Sequence, residues 1–365
     1  PSAEGCRTGI YPLASVAASD AGAVNITADS FQLLDGAQIN SRTFGPGAGG
    51  KIVIAADKVL IEGMDPLTGN IARIDASTLA LQGFEDNATG RGGDIRIRAR
   101  VLQLRDAGEI TTSSGSAGNG GDIVLDVNQV TLNNETSITA GSTSTGDAGS
   151  IRINAGKSVQ LLESSSVSTE ADFSGGGRIS ISARDLLYLL RSRITSSVAD
   201  GSGNGGDITI DPVFVVLDHS QILANAFAGA GGNINITADF FFASPDSVLD
   251  ASSELGINGR IVIRSAASNT IAGLSSLPAN FMDATALLSE RCAASASGVA
   301  SSLVVSGRGG LPPAPDEPLA SSSIATTLPE SDETSSPPAD THSGHPVLLP
   351  ITLSGQPLLV LGCGQ

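Results

Sequence analysis

Short stretches of alternating apolar and polar residues recur along most of the chain. In the repeat that follows Gly93, they cover 95–98, 102–104 and 110–113. Each stretch has the length of a β-strand, and Gly, Asn, Asp and Ser residues are concentrated around them. Apolar residues at every second position predict strands with one face on a core and the other in water. Helices are disfavoured because β-branched residues fill the apolar positions and glycines crowd the intervals.

A glycine, one variable residue and an aliphatic-x-aliphatic triplet return together nine times, in steps of 28, 43, 28, 28, 28, 29, 26 and 27 residues. A nearly fixed period of this length predicts a solenoid, in which each repeat is one coil that buries its apolar face on its neighbours. We therefore predict an all-β fold: a right-handed single-stranded parallel β-helix of the pectin-lyase-like kind, with about nine three-stranded coils. The glycines that mark the repeats are Gly22, Gly50, Gly93, Gly121, Gly149, Gly177, Gly206, Gly232 and Gly259.

This stacking predicts a definite register. Ile95 would lie beside Ile123, and Ile123 beside Ile151, with about 4.8 Å between coils. The same column would continue through Ile179 and Ile208. A shared aliphatic interior would then run through the whole array, and the polar residues would form its outer faces.

One step of the repeat is longer than the others by 15 residues. The excess divides into insertions of 7 and 8 residues on either side of Ile74, at 63–70 and near 81–87. Both insertions are rich in turn-forming residues. Loops of a solenoid tolerate insertions and often carry binding. These two loops are therefore candidates for a contact surface, and neutral surface loops are the alternative.

The repeat array occupies 22–270, and three other regions flank it. Residues 1–21 form an incomplete N-terminal coil that begins without Met, which indicates a piece of a longer protein. Residues 271–310 are predicted to cap the last coil with a short helix at 280–292, because Asn280 suits an N-cap and one apolar face follows. Residues 311–365 hold ten of the 17 prolines and six acidic groups without Lys or Arg. That composition predicts an extended Pro/Ser-rich acidic tail.

Composition and charge exclude several classes of function. The 37 acidic groups outnumber the 20 basic ones and give a net charge of −17, which opposes nucleic acid and anionic membranes as partners. No apolar run reaches the length of a membrane-spanning helix, so we predict no membrane insertion. The three cysteines lack metal-ligand spacing, and a disulfide between Cys292 and Cys363 is left open.

Aspartates that follow paired glycines are the first candidates for chemistry. Asp94, Asp122 and Asp207 share one position of the repeat. A polysaccharide-cleaving site needs carboxylates that converge on one outer face, whereas Asp in a turn usually bonds its own backbone. We interpret all three as turn residues. The segments 118–122 and 201–207 also resemble the calcium-binding nonapeptide repeat, but a spacing of about 28 residues does not let successive turns share ions.

Basic residues of the array give no convergent site either. Arg96, Arg152 and His219 lack comparable partners in adjacent repeats, and we interpret them as solvated surface groups. No Ser or Cys lies in a nucleophile motif, and no glycine-rich loop ends in Lys-Ser/Thr. The sequence therefore predicts no catalytic, cofactor-binding or metal-ligating residue, and no cofactor.

The repeat Gly-Gly-Asp-Ile-x-Ile, with Val-x-Leu and Ile-Thr-Ala/Ser after it, resembles that of a known family of exoproteins. The ending at 302–315, Ser-Leu-Val-Val-Ser-Gly-Arg-Gly-Gly-Leu-Pro-Pro-Ala-Pro, strengthens the resemblance. Over about residues 20–318 the chain is similar to the large cyanobacterial exoproteins related to filamentous haemagglutinin. Those proteins are also described as S-layer family proteins and belong to two-partner secretion systems.

The resemblance implies a secreted β-helical rod at the cell surface or outer membrane, exported through an outer-membrane transporter partner. The family's N-terminal secretion domain, with its Asn-Pro-Asn-Gly-like motif, is missing here, so export is expected of a full-length parent. Surface glycans or other cell-surface proteins are further candidate partners. We hypothesise a non-enzymatic structural or adhesive exoprotein. The alternatives are a passive S-layer or matrix component and a polysaccharide-active β-helix lyase or hydrolase.

Overall fold

The computed structural model describes residues 9–10, 19–80 and 89–270 of the 365-residue chain. These residues form 22 β-strands, numbered in chain order, with turns between them and no helix. In these ranges, accordingly, nothing helical is long and apolar enough to cross a membrane. Most strands belong to two parallel sheets built from the same coils. For this part of the chain the all-β parallel solenoid is confirmed.

The two sheets divide the strands of each coil between them. The larger sheet contains β2 (Val24–Leu34), β4 (Ile52–Glu62), β7 (Ile95–Arg105), β10 (Ile123–Asn133), β12 (Ile151–Leu162), β14 (Ile179–Ala183), β15 (Leu186–Leu190), β17 (Ile208–Asp211), β18 (Phe214–Asp218), β20 (Ile234–Ala243) and β22 (Ile261–Thr270). The smaller sheet contains β1 (Gly9–Ile10), β3 (Gln38–Asn40), β5 (Arg73–Asp75), β8 (Glu109–Thr111), β11 (Ser137–Thr139), β13 (Ser166–Ser168), β16 (Arg193–Thr195), β19 (Gln221–Leu223) and β21 (Val248–Asp250). Two further strands pair with each other: β6 (Thr78–Leu79) and β9 (Ser114–Gly115).

One coil consists of a long strand, a short strand and a glycine-rich turn. The long and short strands of eight coils lie in the described ranges, and β22 begins another coil. The three stretches predicted for each repeat are present, but the first two form one continuous strand in most coils, even where Asn128 or Gly156 stands between them. They divide only at Arg184 and Asp185, between β14 and β15, and at Pro212, between β17 and β18. Proline interrupts a ladder because it has no amide hydrogen to donate.

The predicted register is confirmed. Ile123 pairs with Ile95 on one side and Ile151 on the other, and the column continues through Ile179 and Ile208. All five side chains are buried in one core. Each coil therefore contributes the same inward positions to a continuous aliphatic interior. The short strands add a second buried column, formed by Ile39, Ile74, Ile110, Ile138, Val167, Ile194 and Ile222.

The coil with the insertions keeps the register of the array. Ile74 pairs with Ile39 on one side and with Ile110 on the other. The extra residues at 63–70 therefore enter as a loop at the place predicted, without displacing the short strand that follows. The second insertion, near 81–87, falls on residues outside the described ranges.

The first insertion, at 63–70, is closed by its own hydrogen bonds. Met64 and Ile71 form an antiparallel bridge at its base. Within the loop, the Asp65 carboxylate accepts a hydrogen bond from the Thr68 hydroxyl at 2.6 Å. These local bonds fix the shape of the loop, and its use as a contact surface stays a prediction.

The glycine-rich turns bring the backbones of successive coils into direct contact. A Cβ on Gly149 would lie 1.9 Å from the carbonyl oxygen of Gly121, and a Cβ on Gly121 would lie 1.9 Å from that of Gly93. No side chain fits there, because real Cβ atoms essentially never approach another heavy atom within 3.0 Å. From the interior, the Thr112 hydroxyl donates to the Gly121 carbonyl at 2.9 Å. The marker glycine of the repeat is therefore required by the close stacking of coils.

The coil that contains β7 is joined to both neighbours by ion pairs. Arg100 lies 2.9 Å from Asp57 on the preceding coil, and Arg96 lies 2.9 Å from Asp126 on the following one. These groups are largely exposed, so each pair adds little to stability. The pair between Arg96 and Asp126 nevertheless favours β10 as the next strand, because the coil after β10 has Asn154 at the position of Asp126.

Three later coils replace the alternating pattern with continuous apolar runs, at 186–190, 214–217 and 240–243. Their outward positions carry large apolar side chains, and the rings of Phe214 and Phe240 stack with centroids 4.9 Å apart. A stacked aromatic pair contributes about 0.5–1.5 kcal/mol beyond the burial of its area. An aromatic contact thus joins the coils of β18 and β20, whereas ion pairs join the coils around β7.

Several sequence predictions lie outside the described residues. They are the capping segment 271–310 with its helix at 280–292, the tail 311–365 and the three cysteines. Of the incomplete coil 1–21, only β1 and residues 19–21 are described; β1 pairs with β3 in register. The right-handed winding of the coils also stays a prediction.

Candidate binding groove along the glycine-rich turns

The aspartates that follow paired glycines form a row of hydrogen-bond acceptors along the solenoid. The Oδ1 atom of Asp94 accepts the amide hydrogen of Asp122 at 3.2 Å, and Asp122 in turn accepts that of Ser150 at 3.0 Å. Asp207 accepts the amide hydrogen of Asn233 at 3.0 Å. The predicted turn location is right, but the predicted bond to the residue's own backbone is wrong. Because the turns stack, the nearest free amide belongs to the next coil.

A second row of acceptors runs parallel to the first, two residues before the marker glycine. Asn119 accepts the amide hydrogen of Asp147 at 3.0 Å, and Asp147 accepts that of Gly175 at 2.8 Å. Asn204 does the same for Ala230 at 2.8 Å. Our sequence analysis missed this row. The recurrence of Asn or Asp at that position was the signal that could have revealed it.

Between these rows the turns form an open groove of about 1070 Å³ that crosses six successive coils. Its floor consists mainly of glycine backbone, and serine hydroxyls, three arginines and three aspartates line it. Phe173 also lines the groove, with half of its surface exposed (50%). The glycine amides of the floor already donate to backbone carbonyls of the protein. The serine hydroxyls and charged side chains of the groove can still hydrogen-bond an extended polar molecule along the axis of the solenoid.

The arginines of the groove differ in their pairing. Arg91 lies 2.8 Å from Asp94 and 3.8 Å from Asp122, so its charge is neutralised within the protein. Arg152 and Arg178 are exposed, and no ion pair or hydrogen bond of their side chains is found in the described ranges. Arg152 was singled out from the sequence, whereas Arg178 was missed. Alignment of the repeats could have found Arg178, because it stands directly before Ile179, where three other coils have Asp and two have a basic residue, Lys51 or Arg260.

The other basic candidates are engaged with adjacent coils, which corrects their interpretation as solvated groups without partners. Arg96 binds Asp126 on the following coil. His219 lies beside Asp218, and its Nε2 atom is 3.2 Å from Asp246 on the following coil. In both cases the partner is about one period away in sequence, a separation that makes such contacts inconspicuous before the stacking is known.

The segments 118–122 and 201–207, which resemble the calcium-binding nonapeptide repeat in sequence, use their polar side chains between coils. The structure places the side chains of Asn119, Asp122, Asn204 and Asp207 as acceptors for amides of the following coil. Within residues 9–10, 19–80 and 89–270, no three His, Cys, Asp or Glu side chains are grouped so that they could hold a metal ion.

A cluster of four charged residues lies on the short-strand face beside the insertions. The side chain of Asp75 is 2% exposed and binds the guanidinium of Arg42. Arg73 lies between two carboxylates, 3.5 Å from Asp75 and 3.1 Å from Glu109. Asp75 also accepts the Ser77 amide hydrogen at 2.8 Å. The buried carboxylate is fully engaged, so the cluster supports the coil rather than presenting a reactive group.

Glu109 makes the stability of this cluster depend on pH. Burial raises the pKa of its carboxyl above the ordinary 4.5, although Arg73 opposes the change. The folded chain then holds this proton more tightly than the unfolded chain, so stability falls as pH rises from about 4.5 through the folded pKa. Glu109→Gln should remove that component. Urea unfolding between pH 4 and 7 should give a shallower fall in unfolding free energy for the variant, and equal slopes would contradict the assignment.

Comparison with known proteins finds no match: no protein-family model, no curated protein and no solved structure matches the chain. The resemblance to filamentous-haemagglutinin-like exoproteins therefore stays a hypothesis. Function has to be inferred from the geometry of the coils and of the groove.

Proposed function

We propose that the chain is a non-enzymatic stalk segment of a secreted exoprotein that makes adhesive contacts at the cell surface. The observation that supports this proposal is the continuous parallel pairing of eight coils around one core, with a local register shift between Val127 and Gln129. At about 4.8 Å per coil, the described array is about 40 Å long. Each coil is held by its neighbours on both sides, which suits a stiff element that carries load or separates two surfaces.

The outer surface also favours a structural role over an enzymatic one. A polysaccharide-active enzyme is the alternative, and it would need carboxylates free to exchange protons or attack substrate. Asp94, Asp122, Asp147 and Asp207 instead use Oδ1 to bind amides of the following coil. These carboxylates hold the turns together, and their oxygens support the stack.

Export and location belong to the same proposal. The resemblance of the repeats and of the 302–315 ending to two-partner secretion exoproteins supports export through an outer-membrane transporter. Display at the cell surface or release from it would follow. Surface glycans or other cell-surface proteins are the proposed contacts of the adhesive form, and the passive S-layer or matrix component remains its structural alternative.

The proposal is tested by removing the gene from cells that produce the parent protein and measuring attachment and aggregation. Attachment should fall and should return when the gene is restored. Restoring it with Ile123→Asp, which places a carboxylate in the core, should not rescue attachment, whereas the outward-facing Thr131→Asp should. Unchanged attachment after gene removal would contradict adhesion. Release of oligosaccharides from a polysaccharide by the purified chain, lost in Asp122→Asn, would contradict the non-enzymatic assignment.

A further inference from the structure

Arg178 interrupts the acceptor row in the middle of the groove. The coils around it have Asp122, Ser150 and Asp207 at this position, directly before the first core isoleucine. Arginine has five donors and no acceptor. An Asp or Ser at position 178 could accept the amide hydrogen of Asp207 in the following coil. Because residue 178 is arginine, no side-chain oxygen is available to that amide. Compared with the neighbouring coils, this coil therefore has a cation where they have a hydrogen-bond acceptor, and the amide donor of Asp207 lies beside that cation.

Arg152 places a second cation close to the first. It lies one coil earlier and two residues further along its strand, where it pairs in register with Ser180. One coil spacing across the stack and two residues along the chain place the two backbone positions about 8 Å apart. Both guanidiniums are exposed and line the groove. Two unpaired arginines at that distance can bind one carboxylate or sulfate together, or two neighbouring acid groups separately.

Phe173 provides a different kind of contact in the same groove. Its ring is half exposed (50%), although the chain exposes few large aromatic side chains elsewhere in the described ranges. The face of an aromatic ring accepts the apolar face of a sugar, while hydroxyls and backbone groups bond the sugar's edges. Ser150, Ser174, Ser180 and Ser202 line the groove near these residues. The two guanidiniums, the Phe173 ring and the serine hydroxyls together are complementary to a sugar that carries an acid group.

From these observations we propose that the groove binds an acidic polysaccharide, with its carboxylate or sulfate groups on Arg152 and Arg178 and one sugar ring against Phe173. The groove crosses six coils, about 24 Å at the spacing of the stack, and is open along its length. Such a shape accommodates several sugars of a polymer. The net charge of −17 repels polyanions at long range, so binding depends on these local groups. This proposal rests on the adhesive part of the proposed function and names its ligand class.

Two variants test the site without disturbing the coils. Arg178→Asp restores the residue found at this position before β10 and β17, so it should preserve the fold while removing a cation. Arg152→Ser introduces serine, which is the residue at the paired position 180 of the next coil. Arg184→Ser is the matched control, because Arg184 is exposed but does not line the groove. Circular dichroism and urea unfolding would establish that all three variants keep the native fold.

The probes are an oligogalacturonate of about eight sugars, a sulfated glycan of similar length, and the fully methyl-esterified oligogalacturonate. Titration calorimetry on the full chain should show binding of at least one acidic probe and at least tenfold weaker binding of the ester. Arg178→Asp and Arg152→Ser should each weaken acidic binding at least tenfold, and Arg184→Ser should not. The two acidic probes distinguish carboxylate from sulfate as the source of the charge.

Three results would overturn the site: no binding of either acidic probe, equal binding by the variants, or equally tight binding of polyglutamate with the same arginine dependence. The last result would assign the groove to an acidic peptide. A negative result for the polysaccharide-binding groove can be distinguished from a negative result for the stalk function. Cells that lose attachment on gene removal but keep it with Arg178→Asp would retain the stalk and exclude this groove as its adhesive surface.

Discussion

Gly149→Ala is expected to lower the free energy of unfolding by more than about 4 kcal/mol, an effect reserved for changes that the native structure cannot accommodate. The new Cβ would lie 1.9 Å from the Gly121 carbonyl oxygen. That atom is backbone, so no flexible side chain can move to make room. The two coils would have to separate, and the hydrogen bonds and core contacts between them would weaken together. Urea unfolding followed by circular dichroism measures the loss.

Gly115→Ala is the matched control for this prediction. Its Cβ would meet nothing closer than 3.5 Å, and its backbone does not need a positive φ. The same chemical change in the same kind of strand-and-turn environment should therefore alter the urea midpoint only slightly. If Gly149→Ala and Gly115→Ala unfolded at the same urea concentration, close backbone stacking would not be the reason for the glycine repeat.

Asp75→Asn should cost about 3 kcal/mol, because removing one partner of a buried ion pair leaves the other charge without compensation. Asp75 is 2% exposed at its side chain, and it binds Arg42 while lying 3.5 Å from Arg73. Asparagine has nearly the same shape and can keep the bond to the Ser77 amide, so the loss reports charge rather than volume. Thermal unfolding at neutral pH provides the measurement.

An exposed ion pair between coils is the control for Asp75. Asp57→Asn removes the carboxylate that lies 2.9 Å from Arg100, where both side chains are about half exposed, at 51% and 52%. Water and salt screen this pair, so its loss should change stability little. Comparable losses for Asp57→Asn and Asp75→Asn would show that burial does not govern the energetics of the cluster.

The fold could be predicted from the sequence because two periodicities agree. Alternation of period two gives the strands, and the interval of about 28 residues places Ile95, Ile123 and Ile151 in one column. Both patterns come from side chains whose burial is repeated in every coil, so each repeat confirms the others. The strand count per coil was less predictable, since nothing in 98–101 indicates whether the chain turns or continues.

The groove was less accessible to sequence reasoning because its contacts join residues of different coils. Asp122 could be assigned to a turn, but its partner, Ser150, is 28 residues away. The importance of Arg178 depends on what its neighbours in the stack do, and only alignment of the repeats reveals the substitution. The Asp75 cluster was hidden for another reason: insertions on both sides of β5 remove the regular spacing that aligns Arg42 and Glu109 with it.

The ion pairs around β7 have a consequence for how the coils find their order during folding. Neighbouring repeats present almost the same isoleucines to one another, so the core alone would accept a coil that skipped a neighbour and docked one layer too far along. Arg96 meets Asp126 only when β10 follows β7, because the coil after β10 has Asn154 at the place of Asp126. Arg100 does not discriminate in this way, since Asp29 stands beside Asp57 in the coil before it. One exposed ion pair thereby disfavours a skipped layer on one side of β7, where the repeated interior would accept it.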